Sequence, residues 1–249
     1  MFLQPFEINR KSLVAEIVAK DYRTADVFRK HGIGYCCGGK WPMEMACEMR
    51  GIDADKIQAE LETATRTIHV SNLLDFAEWD IGFLVNYLIN VHHQYLKKSL
   101  PETQQLLGEF TKEHNKKFSY LAELEKQFDL LVKQLLFSIQ REEEVMFPYI
   151  RQIAHAYEHK EPYAALFVRT MRKPVEETMF KGHENVRDII LSIRKLTNTY
   201  TAPENVCISH KVVMAKLKEL DNDLMQHRYL EQSVLFPRTR AIEKEVLNV

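Results

Sequence analysis

The sequence predicts an all-α protein, a small N-terminal helical unit followed by an antiparallel four-helix bundle. Three observations predict it. Only 8 Gly and 8 Pro occur in 249 residues while Leu, Glu, Lys and Met are abundant, which disfavours a turn-rich β architecture. Strand-like alternation of polar and apolar residues is absent, whereas apolar residues recur at helical spacing. Pro101, Pro148, Pro162, Pro203 and Pro237 mark ends or kinks of long segments in the later part of the chain.

The elements follow in order. Leu13, Ile17, Tyr22, Ala25, Val27 and Phe28 recur at approximate helical spacing, and that helical run stops at His31-Gly32. A tight segment, GIGYCCGGKWP, comes next and holds four of the eight glycines. Short helices are expected around 43–50 and 53–66, separated by Gly51 and the second opened by Asp53. Residues 67–75 read as a linker in which Asn72 or Asp75 caps the next helix. Long helices are then expected over 75–99, 102 to about 154, 162–200 with a break near Pro174, and 204–246. This organisation predicts a small unit over 1–66 and a bundle over 75–245.

Composition excludes several functions. A net charge of −1 without a long single-sign run disfavours a nucleic-acid backbone binder. No apolar run approaches the roughly 18–20 residues that span a bilayer. The charged, amphipathic opening lacks the pattern of a signal peptide, and four Cys, two of them adjacent, do not make a disulfide framework. A cytoplasmic protein is expected.

The later region contains an internal repeat. SIQREEEVMFPYI at 138–150 aligns without gaps on HRYLEQSVLFPRT at 227–239, matching Glu142 with Glu231 and Phe147-Pro148 with Phe236-Pro237. Upstream, His93 and His183 stand at nearly the same offset. Each half thus contributes a His early and a Glu late. His227 and Glu231 lie one helical turn apart, so their donors can meet at one point. A pseudo-two-fold would gather His93, Glu142, His183, His227 and Glu231. Imidazole and carboxylate donors inside a bundle suit iron or manganese, with carboxylates able to bridge two ions. One HxxxE alone would be an ordinary pair on a solvated helix; the duplicated Glu-x4-Phe-Pro, at matched distances from the two single histidines His93 and His183, is what points to metal. The Phe-Pro pairs read as packing and helix-end devices. His69, His155, His159 and His210 read as surface or packing residues.

Cys36-Cys37 sits in a Gly-flanked turn near Lys40. Bridging neighbouring cysteines demands a strained ring, which argues against a stable disulfide between them. The residues alone leave two roles open, small packing side chains or reactive thiols near a cation. The spacing matches neither a complete zinc nor a cluster site. Cys47 and Cys207 read as incidental.

On these residues the chain resembles a known family. Residues 75–245 are similar to a hemerythrin-like domain, and GIGYCCGGK is similar to the N-terminal domain of the YtfE/ScdA/RIC family of iron–sulfur cluster repair di-iron proteins. The resemblance covers nearly the whole chain in the family's domain order. It implies a non-haem di-iron centre with ligands at His93, Glu142, His183, His227 and Glu231. It implies a redox or iron-transfer role for Cys36 and Cys37. It implies repair of clusters damaged by nitrosative or oxidative stress, through iron donation or nitric oxide handling, with damaged iron–sulfur proteins as clients and nitric oxide or oxygen as small ligands. A homodimer through the N-terminal domain is also implied. Alternatives are an oxygen or nitric oxide binder or sensor of the hemerythrin kind, and a degenerate single-metal bundle. One position departs from the pattern: the family's second helix carries its own HxxxE, and here Ser138 takes the His place. A hydroxyl is a poor substitute for imidazole, so a second iron would be held less completely. His92 adjoins His93 but turns about 100° away on a helix. His114 is either a substitute ligand from a nearby turn or a solvated side chain.

Overall fold

The computed structural model describes residues 8–36, 39–65 and 74–248, with the helix backbone alone over 173–184. Helix is the dominant element of the described residues, and the backbone contacts divide them into two compact units. The expected all-α class is what the structure shows. Asn72, one of the two expected caps, lies outside the described residues.

The first unit comprises α1 (Val14–Lys20), α2 (Thr24–Lys30), α3 (Met43–Glu48) and α4 (Ala54–Thr65). Where one helical run is expected up to His31-Gly32, the chain breaks at Asp21. Its carboxylate accepts from the backbone N–H of Arg23 at 3.0 Å and its carbonyl accepts from the Thr24 hydroxyl at 2.6 Å. A short polar side chain that bonds its own neighbouring backbone competes with the helix ladder. Gly32 and Gly51 both have positive φ, +66° and +65°, and close α2 and α3. In each case the next residue's N–H reaches back five positions, Ile33 to Phe28 at 2.8 Å and Ile52 to Cys47 at 3.0 Å, the glycine-terminated helix ending of the Schellman type. Val14, Ile17, Phe28, Met43, Cys47, Ile57 and Leu61 form the buried centre. Residues 201–216 belong to this unit as well.

The second unit is built from long helical rods. The first runs from α5 (Ile81–Tyr87) through a π-helical turn (Leu88–His93) into α6 (Gln94–His114). The second runs from α7 (Leu121–Arg141) through a π-helical turn (Glu142–Met146) into α8 (Phe147–Glu158). The third is α9 (Ala164–Leu196). The fourth runs from α10 (Ile208–Tyr229) through a π-helical turn (Leu230–Leu235) into α11 (Phe236–Asn248), its residues from 217 onward lying in this unit.

The expected boundaries shift in three places. Pro101 lies inside α6 and does not end it; the buried row Leu96, Leu100, Leu107 and Phe110 carries the helix past the missing N–H. The break falls at 115–120 instead. Likewise α9 continues across the break expected near Pro174. Asp80, not the expected Asp75, caps α5, accepting from the Phe83 N–H at 2.8 Å. A core of Leu84, Leu88, Met146, Phe147, Ile153, Leu230 and Leu235 surrounds the three π-helical turns.

Candidate metal centre

Each π-helical turn carries one residue of the internal repeat: His93 ends the first, Glu142 begins the second and Glu231 lies in the third. In two of them a proline follows closely, Pro148 and Pro237. A proline donates no N–H to the turn before it and crowds it, which favours a widened turn there. Single π turns within α-helices recur at functional sites because they re-aim side chains. Here the outcome is that His92 and His93, adjacent in sequence, are both buried.

His93, Glu142, His227 and Glu231 each offer one donor atom within 4.8 Å of all the others, and all four are buried. His93 Nε2 lies 3.1 Å from Glu142 Oε2 and 3.1 Å from His227 Nε2. His227 Nε2 lies 3.8 Å from Glu142 Oε2 and 3.6 Å from Glu231 Oε1. The helical spacing that the sequence shows thus does place the His227 and Glu231 donors together. His183 lies outside the described side chains, as does Cys37. Ser138 stands in α7, one turn before Glu142.

Burial sets the electrostatics. The Glu231 carboxyl is pushed well above the usual carboxylate range, first by burial and then by the nearby Glu142, with Arg228 opposing. Neither Glu231 oxygen accepts a hydrogen bond among the described residues. Two carboxylates so close in a dry site repel unless a cation or a proton lies between them. The donor set of two imidazoles and two carboxylates therefore fits a cation of the iron or manganese type.

A supporting residue was not legible in the sequence. Glu143, beside Glu142, accepts from His93 Nδ1 at 2.9 Å and from Lys97 Nζ at 2.6 Å. Against burial, which raises it, the Lys97 and His93 bonds hold its carboxyl below the usual range. With its proton on Nδ1, His93 turns Nε2 and its lone pair inward, the arrangement common to metal-ligating histidines. The available signal was the EEE run at 142–144, from which spacing alone singles out only the first. Phe147 lies parallel to the His93 ring at 5.3 Å, so the Phe of the first Phe-Pro pair fixes the imidazole from its face.

The other described histidines lie outside this cluster of four, and His69 falls outside the described residues. His92 is buried with Nδ1 3.0 Å from Asp223 Oδ1, and it is not one of the four converging residues. His114 bonds the Phe110 carbonyl at 3.1 Å and stacks on that ring, at the end of α6. It does not replace the imidazole absent at Ser138. His155 and His159 are exposed and stack on each other, whereas His210 is fully buried.

Buried imidazole and carboxylate donors at the π turns of a helical bundle are the arrangement of a cation-binding helical protein, and the chain also carries a separate small cysteine-bearing unit. Residues 10–65 match the ScdA_N domain, described as a domain of unknown function (DUF542), and residues 84–167 match the hemerythrin HHE cation-binding domain. The hemerythrin match takes in His93 and Glu142 and stops before the second half of the repeat. Along 94% of its length the chain is 29% identical to an iron–sulfur cluster repair protein YtfE of Enterobacter sp. (strain 638), covering 99% of that protein. It is 28% identical, with the same coverage, to proteins of that name from Escherichia coli O1:K1 / APEC and Escherichia fergusonii. The chain thus carries a ScdA_N domain and a hemerythrin HHE domain in that order, and is similar along nearly its whole length to proteins named for iron–sulfur cluster repair.

Proposed function

We propose that this chain is a non-haem iron protein that repairs iron–sulfur clusters damaged by nitrosative or oxidative stress, by donating iron or by handling nitric oxide. The observation that carries the reading is the convergence of four buried N and O donors within 4.8 Å, in a chain that aligns nearly end to end with proteins named for cluster repair. His93, Glu142, His227 and Glu231 hold iron in this reading, His183 of α9 adds an imidazole, and Ser138 leaves the second position of a di-iron pair with one protein donor fewer. Bound iron supplies one-electron redox chemistry and an open position for a small ligand such as nitric oxide or oxygen.

The chain's own residues do the rest. Glu142, which stands near both imidazoles, and Glu231 would offset the charge of a bound cation. Glu143 and Lys97 hold the His93 proton on Nδ1. The apolar shell of Leu88, Met146, Phe147, Leu230 and Leu235 keeps bulk water out. Cys36 and Cys37, in the proposed domain 1–66, serve iron transfer or redox turnover, and the proposed bundle domain 75–245 holds the metal. The working assembly is a cytoplasmic homodimer, a reading supported by the family; no helix among the described residues is long and apolar enough to cross a membrane.

The test uses protein produced in iron-rich medium. Wild type and a double variant, His227→Ala with Glu231→Ala, are compared for bound iron and for anaerobic restoration of a nitric oxide-damaged iron–sulfur enzyme. Wild type is expected to carry iron and restore activity, and the folded double variant to do neither. Restoration that is equal with and without bound iron would sink the reading. Tight nitric oxide binding with no restoration would convert it to that of a binder or sensor.

A further inference from the structure

Residues 201–216, far in sequence from the first helices, lie in the same compact unit. Lys216 pairs with Asp26 of α2, and its ammonium stands 5.8 Å from the centre of the Tyr22 ring. The Tyr35 and Ser209 hydroxyls share a hydrogen bond. Beside Tyr35, the thiols of Cys36 and Cys207 also share a hydrogen bond. Both are partly exposed and neither is in a disulfide, whereas Cys47 is fully buried. The sequence alone reads Cys207 as incidental, because no local spacing relates it to Cys36. Only the fold brings the two sulfurs together.

The position of Cys207 matters. It directly precedes α10, and backbone N–H groups of Ser209 and His210 donate to its sulfur. These belong to the first helical turn, whose N–H groups lack intrahelical acceptors and favour an anion. Burial works the other way and prevails, pushing the Cys207 thiol up. The sulfur is thus mostly protonated at rest, in a setting that lowers the cost of its thiolate when one forms.

We propose that Cys36 and Cys207 are a dithiol–disulfide couple oxidised by small-molecule disulfides, so that the redox partner of Cys36 is Cys207 and not its neighbour Cys37. The inference rests on the reading that the Cys36 segment carries thiol chemistry, and is independent of the metal centre. The Cys36 thiolate attacks one sulfur of a disulfide RSSR, forming Cys36–S–S–R and releasing RS⁻. The Cys207 thiol gives its proton to solvent and attacks the Cys36 sulfur. The Cys36–Cys207 bond forms and the second RS⁻ leaves. Two protein thiols lose two electrons and two protons, and RSSR becomes two RSH. Geometry favours this pairing: adjacent cysteines need a strained ring, whereas Cys36 and Cys207 come from separate segments and their thiols already share a hydrogen bond. The product ties the chain before α10 to the turn after α2.

The experiment equilibrates the full-length protein anaerobically with glutathione buffers of increasing oxidised fraction. Thiols are then alkylated, and the disulfides are mapped by digestion and mass spectrometry. The expected result is a linked peptide pair carrying Cys36 and Cys207, with both thiols lost together, and Cys47 alkylated only after unfolding. Cys37→Ser should keep the link. Cys207→Ser should abolish it and leave a glutathione adduct on Cys36. A wild-type link between Cys36 and Cys37, or two thiols that titrate independently into mixed disulfides, overturns the proposal while leaving the thiol reading intact. A Cys36 that takes no glutathione in any variant overturns both. The wild-type map decides even if a variant fails to fold.

Discussion

Glu143 holds His93: its Oε1 lies 2.9 Å from His93 Nδ1, and on the ring's other side Nε2 meets Glu142 Oε2 at 3.1 Å. Two neighbouring glutamates on one π-helical turn thus act on opposite nitrogens of a single imidazole. The first prediction follows. Glu143→Ala should weaken metal binding roughly 10- to 100-fold, the usual cost of losing the group that orients a ligating histidine. Glu143→Gln, whose amide oxygen can still accept from Nδ1, should lose much less. Competition with a chelator of known affinity reads the difference, and equal losses for both variants would show that charge and not orientation matters.

A second prediction concerns Glu231. Its carboxyl is fully buried, accepts no hydrogen bond among the described residues and faces Glu142. Replacing such a group with a neutral one of similar shape should stabilise the metal-free protein, because a buried carboxyl facing another meets both desolvation and repulsion when it ionises. Glu231→Gln should therefore melt at a higher temperature than wild type without metal. Added ferrous iron should raise the wild-type melting temperature and leave the variant almost unmoved. A variant that melts lower without metal would show that Glu231 already has a stabilising partner.

Ser138 supports a third. It precedes Glu142 by one turn, at the position that His227 holds relative to Glu231. Ser138→His should raise iron stoichiometry toward two per chain, and should slow entry of small ligands if the position is open to solvent. Anaerobic ferrous titration compares the two proteins. Two tightly bound irons in wild type, unchanged in the variant, would mean that the place is already filled.

The fourth lies in the first unit. A Cβ placed on Gly39 would stand 2.3 Å from the Tyr35 carbonyl oxygen and 2.8 Å from Ala15 Cβ, where the Gly39 carbonyl accepts from the Ala15 N–H. Backbone and side chain would both have to shift. Gly39→Ala should cost about 1–3 kcal/mol, the range for overpacked sites. The fully buried Cys47 offers the readout, since its labelling should accelerate as this unit opens. Unchanged labelling would show that the turn yields without strain.

By itself the sequence determined the all-α class, the helix endings at Gly32 and Gly51, and the repeat that marks Glu142, His227 and Glu231. These are legible because helical period, positive-φ glycines and i,i+4 spacing act over a few residues. Tertiary structure decided the rest. Pro101 stays inside α6 because its buried neighbours outweigh one lost hydrogen bond, a balance that no local window contains. Glu143 becomes the partner of His93, and Cys207 that of Cys36, only when segments far apart in sequence are packed together. Spacing specifies which side chains share a helix face. Which donor on another helix meets them depends on how the rods pack and on where π turns re-aim their side chains, and those are properties of the whole fold.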